Sequence, residues 1–292
     1  MLSPEWTIIK LLNWAASYFK SHKIESSRAA AEILLAHTLK LKRIDLYLQY
    51  DRPLDKTELA NFKILIKRRL VREPVAYITG KKEFWSMELE VTRDVLIPRP
   101  DTECLVETAL KVLSSRQDNM PKQILELGTG SGAIIIALAS QEPCNIFFAS
   151  DFSIKALKLA RKNACAHDLD KKINFFSGSW FLPLNNIKCR FDIIISNPPY
   201  IKSSMINKLE PEIYKYEPVL SLDGGKDGLS SLDLIISTAH LYLKDKGSLV
   251  LEIGSDQKDA VERMIRSAGN YETISFIKDY SGFNRVVKMD KI

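Results

Sequence analysis

Four consecutive residues, Asn197-Pro198-Pro199-Tyr200, are the part of this 292-residue chain whose types and order most directly imply chemistry. Two adjacent prolines fix φ at two positions and push the residue before them into an extended conformation. The Asn197 side chain and the nearby backbone carbonyls are thereby held rigid. The chemistry this suits is methylation of a planar –NH2 group, an amide or an exocyclic amine. Such a nitrogen is a poor nucleophile because its lone pair is delocalised into the neighbouring π system. If the Asn197 oxygen accepts one N–H and the Pro198 carbonyl the other, the lone pair turns towards a methyl donor. The same two acceptors stabilise positive charge developing on nitrogen. The Tyr200 ring offers a flat face on which an amide or base can stack. An ordinary strand exit closed by prolines accounts for the four residues equally well, so they point to methyl transfer only beside a donor site.

A second segment meets that condition. Ile124-Leu125-Glu126-Leu127-Gly128-Thr129-Gly130-Ser131-Gly132 joins an apolar strand pattern to a helical one. Its alternate glycines let backbone approach a ligand without Cβ clashes, and the following helix supplies unpaired N–H groups. Asp151 lies 151 − 132 = 19 residues beyond the last glycine, after the next strand. That position suits a carboxylate accepting from both hydroxyls of a ribose. The spacing is G-x-G-x-G rather than the G-x-G-x-x-G of dinucleotide folds, which disfavours a nicotinamide oxidoreductase. There is no G-x-x-x-x-G-K-[ST] for a triphosphate. An acidic residue, Glu126, two positions before the glycines suits a ligand carrying an ammonium group, as the methionyl part of S-adenosyl-L-methionine does.

These loops need a scaffold. Phe191–Ser196, the run before Asn197, is apolar and β-branched, as a strand buried on both faces should be. From residue 123 onward strand and helix signals alternate, which implies βαβ units and a parallel sheet. Strands are expected at 122–127, 145–150, 172–176, 190–196 and 247–253. Helices are expected at 132–140, 153–166, 228–243 and 256–268. The tail, Tyr271–Ile277 and Arg285–Met289, reads as a terminal hairpin that makes the last of seven strands antiparallel. Residues 98–292 are therefore the candidate cofactor-binding domain, with the sites at the C-terminal ends of the strands. Ile97-Pro98-Arg99-Pro100-Asp101-Thr102-Glu103 is a proline-stiffened loop. In it Asp101 or Thr102 caps a helix running to about Leu113, and Arg99 either pairs with a local carboxylate or closes over a cofactor.

Residues 1–73 show no strand signal and no repeat, and read as a small helical bundle. Ser3-Pro4-Glu5 has the form of a helix start, Ser26 or Ser27 starts a second helix, and Asp45–Gln49 is a short third. Asp55-Lys56-Thr57-Glu58 has the form of a capping box before a fourth. Lys67, Arg68, Arg69 and Arg72 end that helix, where cations favour the negative end of its dipole. Residues 74–97 read as a linker containing a β-hairpin, with Pro74–Gly80 breaking the helical period and Phe84–Thr92 alternating as a strand.

The totals exclude several classes. A hydrophobic content of 46% with 27% charged residues is that of a soluble globular protein. The longest apolar run, Ala133–Ala139, is too short to span a bilayer. The first residues lack the order of a secretory signal. Cys104, Cys144, Cys165 and Cys189 are widely spaced, form no metal-ligand pattern and read as reduced thiols, so a cytoplasmic protein without a metal is expected. Of the net charge of +6, residues 1–100 carry 18 Lys/Arg against 12 Asp/Glu and the rest 24 against 24. This basic part leaves RNA or an acidic protein open as a partner, although a solvated helix face explains it too.

E-L-G-T-G-S-G, Asp151 and N-P-P-Y together resemble the class I S-adenosylmethionine-dependent methyltransferases that act on planar amino groups. E-P-V-A-Y-I-T-G-K-K-E-F-W (73–85), L-I-P-R-P-D-T-E (96–103) and S-N-P-P-Y-I (196–201) resemble, more specifically, the bacterial release factor glutamine methyltransferases of the HemK/PrmC family. The resemblance covers the whole chain. It implies an α/β fold, a Rossmann-like seven-stranded methyltransferase sheet behind a helical N-terminal domain and hairpin linker. It implies methylation of the glutamine amide in the Gly-Gly-Gln motif of class 1 peptide chain release factors, giving N(5)-methylglutamine. Gly128, Thr129, Gly130, Ser131 and Gly132 would then hold the methionyl end of S-adenosyl-L-methionine, and Asp151 its ribose. Trp180 would contact the adenine region, although from its own sequence context it reads as a core aromatic. Asn197, Pro198, Pro199 and Tyr200 would bind the glutamine. Glu126 stands where relatives often have Asp. The helical domain would recognise the protein substrate, and a monomer without a stable nucleic-acid partner is expected. Adenine or guanine in nucleic acid, flipped into the site, or the glutamine of another protein, is the alternative acceptor that the same four residues suit. A module that binds the cofactor without turnover is a further one, disfavoured by the intact N-P-P-Y.

Overall fold

The order of seven strands decides where everything else lies. A computed structural model describes residues 6–115, 120–184 and 191–292. By contacts the chain forms two units, one running to Lys81 and including Glu210–Tyr216, the other made of Lys82–Leu209 and Glu217–Ile292.

The helical unit holds α1 (Ile8–Ser21), α2 (Ser27–Leu39), α3 (Asp45–Leu48), α4 (Lys56–Leu70) and α5 (Val75–Thr79). Ile8, Leu11, Leu12, Ala15 and Phe19 recur at helical spacing on α1 and bury against Ala31, Leu34 and Leu35 of α2 and Phe62 and Ile66 of α4. The expected start at Ser3-Pro4-Glu5 lies outside the described residues, and α1 begins at Ile8 after Thr7. Ser26 precedes α2 in the left-handed region, with φ of 46°, and makes no side-chain cap. The capping box on α4 is present: the Glu58 N–H donates to Asp55 and the Asp55 N–H to Glu58. Pro74–Gly80 does not merely break the helical period. Pro74 opens the short helix α5, and Gly80 at φ of 75° closes it. The basic end of α4 is also more than a dipole complement. Arg68 makes a bidentate pair with Glu73 at 2.8 and 2.9 Å, and Arg69 pairs with Glu212 at 2.8 Å. Arg72 stands 3.4 Å from the same Glu212 carboxylate.

The sheet unit opens with a hairpin of β1 (Lys81–Phe84) and β2 (Met87–Glu90). The single alternating strand expected over Phe84–Thr92 is thus cut by a turn at Trp85 and Ser86, whose φ values of 53° and 57° are those of a type I′ hairpin. A 3-10 turn at Pro100–Thr102 leads into α6 (Glu103–Ser114). Neither Asp101 nor Thr102 caps that helix with its side chain, because Thr102 is already in helical conformation. Then follow β3 (Gln123–Leu127), α7 (Ala133–Gln141), β4 (Ile146–Asp151), α8 (Ile154–Ala166), β5 (Ile173–Ser177) and β6 (Phe191–Ser196). After the one-turn helix α9 (Pro211–Tyr214) of the helical unit come α10 (Ser230–Ala239), β7 (Leu243–Glu252), α11 (Lys258–Ala268), β8 (Tyr271–Lys278) and β9 (Asn284–Lys291). The strands pair in the order β5-β4-β3-β6-β7-β9-β8, parallel up to β7 and antiparallel from β7 through β9 to β8. This is the seven-stranded Rossmann-like sheet with its terminal hairpin. Helices on both faces explain why Phe191–Ser196 is buried at every position.

One buried amide ties the hairpin to the glycine loop. Asn163 of α8 accepts from the Glu90 N–H at 2.8 Å and donates to the carbonyls of Glu90 and Ser131, each at 2.9 Å. Asn163→Leu removes the side-chain partner of all three backbone groups, two of them half-buried and the Ser131 carbonyl buried. We expect a loss of about 2–3 kcal/mol, measured by denaturant unfolding, with the cofactor loop loosened as well. A loss below about 0.5 kcal/mol would mean the amide does not brace the loop.

Candidate active site

The strand order reverses between β3 and β6, and at such a point the loops leaving the sheet diverge and open a crevice. Leu127 is in register with Ser150 on one side and with Ser196 on the other. The residues that follow, Gly128, Asp151 and Asn197, therefore emerge side by side, on strands about 4.8 Å apart. Gly128, Thr129, Gly130, Ser131, Asp151, Trp180, Asn197 and Pro199 all line one cavity of about 600 Å³. Gly132 lies behind it. A Cβ there would come within 2.9 Å of the Ile136 side chain and 3.2 Å of Ala160, so this glycine serves helix packing.

The glycine loop is held from below. The N–H groups of Gly128 and Thr129 both donate to the Ser150 carbonyl at 2.9 Å, and the Gly130 N–H donates to Asp151 at 2.9 Å. Gly128 and Gly130 have φ of 72° and 55°, and a Cβ on either would meet nothing within 4 Å. The space is open because it is cavity. Glu126 lies beneath it, fully buried, accepting from the Thr129 hydroxyl at 2.6 Å through Oε2. Its Oε1 has no partner among the described residues. Burial pushes its carboxyl up to about 8, against the Thr129 and Ile135 hydrogen bonds. Asp151 is also raised by burial, although the N–H groups of Ser153 and Gly130 donate to it.

At the other strand end, the Asn197 amide nitrogen donates to the Thr102 hydroxyl at 3.3 Å. With its N–H2 turned there, Oδ1 is left to accept. Thr102 and Tyr200 flank Glu252, the last residue of β7. The Tyr200 hydroxyl donates to Glu252 Oε1 at 3.2 Å. Burial raises Glu252 to about 7, against the Thr102 hydroxyl and the charge of Arg285. Burial and then the Glu252 charge keep the Tyr200 phenol protonated. Tyr200 is not among the cavity-lining residues: its ring packs against the core on the β7 side. Pro198 is buried and does not line the cavity either.

Several lining residues gave no sequence signal. Phe152 follows Asp151 directly and is 70% exposed, an aromatic at the mouth. Leu220, 76% exposed, and Pro218 come from the long segment after β6. Arg99 lines the cavity and donates to the buried Glu217 at 2.6 Å. The partner carboxylate is real but lies 118 residues away, too far for any local pattern to show it.

A Rossmann-like sheet carrying a glycine loop, a carboxylate and the asparagine of an Asn-Pro-Pro-Tyr segment on one cavity is the architecture of a methyltransferase. The fold itself is shared with a Pyrococcus furiosus methyltransferase structure, TM-score 0.51 at 16% identity, covering 80% of this chain and 98% of that one. A human methyltransferase 10 domain containing protein gives 0.52 at 15% identity, covering 71% and 88%. Residues 10–80 match the PrmC N-terminal domain and residues 104–213 the Methyltransferase small domain. A release factor glutamine methyltransferase of Geobacter sulfurreducens is 41% identical over 285 residues, 97% of each chain. One of Buchnera aphidicola is 44% identical over 262 residues, 90% of this chain and 92% of that one. The chain belongs to the release factor glutamine methyltransferase family.

The raised Glu126 carboxyl makes a testable statement about stability. Its proton is held more tightly in the folded than in the unfolded chain, whose carboxyl titrates near its ordinary value of 4.5. Its contribution is thus fully present below pH 4.5 and is lost as pH rises through about 8. Glu126→Gln keeps an acceptor for Thr129 and removes the titration. Thermal unfolding of the ligand-free variant should therefore fall less between pH 6 and 9 than that of the parent. Parallel curves would show that Glu126 is ionised throughout.

Proposed function

We propose that this chain transfers the methyl group of S-adenosyl-L-methionine to the side-chain amide nitrogen of the glutamine in the Gly-Gly-Gln motif of class 1 release factors. The observation that carries this is the single cavity shared by the glycine loop and Asn197. The residues fit the cofactor. An unpartnered buried carboxylate oxygen on Glu126 suits an ammonium group, and the open faces of Gly128 and Gly130 are cradles that any Cβ would fill. Asp151 would take the ribose, and Trp180 and Phe152 would offer apolar faces to the adenine. When bound, the cofactor supplies a methyl group on a sulfonium, an electrophile with a good leaving group.

The chain's own residues then orient and desolvate the acceptor. Asn197 Oδ1, with its amide nitrogen turned to Thr102, accepts one N–H of the glutamine carboxamide, and the Pro198 carbonyl accepts the other. Holding both protons in the carboxamide plane directs the nitrogen lone pair out of it, towards the donor. The same two oxygens stabilise the positive charge that grows on nitrogen. Once alkylated, that nitrogen is strongly acidic, so its proton leaves to water without a dedicated base. The four histidines, His22, His37, His167 and His240, are absent from the cavity lining.

Nucleic acid fits less well as the acceptor. Three cations of the basic N-terminal part that left it open, Arg68, Arg69 and Arg72, are engaged with Glu73 and Glu212. A single glutamine in a loop offers little surface for selection, and the helical unit would supply more of it. Intact release factor should therefore show a higher kcat/KM than a short Gly-Gly-Gln peptide; equal values would leave recognition to the cavity alone.

Asn197→Ala tests the acceptor role. We expect kcat to fall by about 100-fold or more, the order seen when one preorganised transition-state contact is removed, while cofactor Kd changes less than about threefold. Mass spectrometry of the release-factor peptide reads the product, and calorimetry reads the cofactor. Equal losses in both, or none, would contradict the role.

A further inference from the structure

The segment after β6 is fixed at Tyr200 from three sides, by residues outside the cavity. The Tyr200 hydroxyl donates to Glu252, which is 1% exposed. The Tyr200 carbonyl accepts from the side-chain amide of Gln257 at 3.0 Å. That amide, 5% exposed, also donates to the Gly228 carbonyl at 3.0 Å, and its oxygen accepts from the Gly254 N–H at 2.9 Å. Gln257 thus uses both ends of its carboxamide to join three backbone segments. The third side is steric. A Cβ on Gly224 would stand 2.8 Å from both the Pro199 carbonyl oxygen and the Tyr200 Cα, and one on Gly228 would stand 2.5 Å from the Tyr200 carbonyl oxygen. Backbone bonds continue the hold, from the Ile201 N–H to Leu222 at 3.0 Å and from the Gly224 N–H to Ile201 at 2.8 Å.

The other end of the tetrapeptide reaches the same group. Asn197 donates to Thr102, and Thr102 sits against Glu252. Glu252 therefore holds the residue that anchors the loop directly and reaches the residue that would meet the carboxamide through Thr102, and those two residues are three positions apart.

We infer that Glu252 and Gln257 are positioning residues for methyl transfer, clamping Tyr200 by its hydroxyl and carbonyl so that Asn197 and the Pro198 carbonyl keep the spacing a carboxamide requires. This rests on the proposed glutamine acceptor. In it Tyr200 is an anchor rather than a stacking platform, which is why its ring faces the core. The two prolines stiffen the link between anchor and acceptor, so a displacement at Tyr200 is transmitted to Asn197 rather than absorbed.

The test compares Glu252→Leu, Glu252→Gln, Gln257→Leu and Tyr200→Phe with the parent, using intact release factor, and measures kcat, KM, cofactor Kd and thermal stability. Glu252→Leu and Gln257→Leu should lower kcat by about 30-fold or more, with cofactor Kd within about twofold. Glu252→Gln, which keeps an oxygen for the Tyr200 hydroxyl, should recover to within about fivefold of the parent. Tyr200→Phe keeps the ring in its packing and removes only the donor. It should lower kcat by about tenfold, and adding Glu252→Leu to it should cost little more than Glu252→Leu alone. Where a leucine variant does not fold, Tyr200→Phe and Glu252→Gln decide. Full activity in Tyr200→Phe, or a cofactor Kd that weakens in step with kcat, overturns the clamp. Absence of methylated glutamine with the parent enzyme would instead refute the acceptor itself.

Discussion

Parallel pairing of β3 with both β4 and β6 is the constraint from which the site follows. Backbone hydrogen bonds set Leu127 opposite Ser150 and Ser196, so the next residue of each strand leaves the sheet at the same level. The glycine loop, Asp151 and Asn197 come from sequence positions up to 69 residues apart, yet strand register alone brings their strand ends together. A slip of two residues in β6 would carry Asn197 roughly 6–7 Å along the strand axis, beyond the reach of methyl transfer. A one-residue slip is resisted by β6 itself. Its six residues are all buried, and a one-residue slip would turn each side chain to the opposite helical layer.

The same edge collects carboxylates. Glu126 is the penultimate residue of β3, Asp151 ends β4 and Glu252 ends β7. All three are raised above their ordinary range, and burial is the largest cause each time. A core built only for stability would not bury Glu126 and Glu252 and half-bury Asp151 along one edge. Their hydrogen bonds explain the placement. Asp151 fastens Gly130, Glu126 fastens Thr129, and Glu252 fastens Tyr200. Each acid grips a loop whose backbone must stay open to a ligand and so cannot be stabilised by packing on its outer face. Glu126 lines the cavity and has one oxygen without a partner among the described residues, so a cationic ligand close to it would relieve its desolvation.

The sheet was legible because its signals are local. Phe191–Ser196 and the alternation of strand and helix patterns after residue 123 reflect burial of contiguous residues, and the structure has those strands to within a few positions. The glycine loop and Asn197 were legible for a related reason, since tight turns constrain residue type at fixed offsets. What escaped was whatever depends on partners distant in sequence. Nothing around Asn163 announces Glu90, 73 residues away, and nothing around Arg99 announces Glu217. Tyr200 shows the limit most clearly. An aromatic in a ligand loop reads as a stacking face, but which way the ring turns is decided by Glu252, 52 residues downstream, and by the core behind it. The hairpin expected within residues 74–97 is present, but its turn was hidden in the pattern: Phe84–Thr92 alternates as one strand, and the left-handed backbone at Trp85 and Ser86 breaks it.

A buried carboxyl near neutrality beside a reaction site invites the role of general base, and Glu252, raised to about 7, is the obvious candidate. Its surroundings argue for a different role. One oxygen accepts the Tyr200 hydroxyl, the group stands behind Thr102, and it does not line the cavity. A base must come within hydrogen-bond reach of the proton it removes, and Thr102 stands between Glu252 and Asn197. The chemistry does not require one either. An amide nitrogen gains acidity with the methyl group, so the difficult step is to present its lone pair beforehand. Fixed acceptors accomplish that, and they remain fixed only while the loop carrying them is held. The buried acid is therefore best understood through geometry: its desolvation is the energetic cost of keeping Asn197 and Tyr200 in one rigid span.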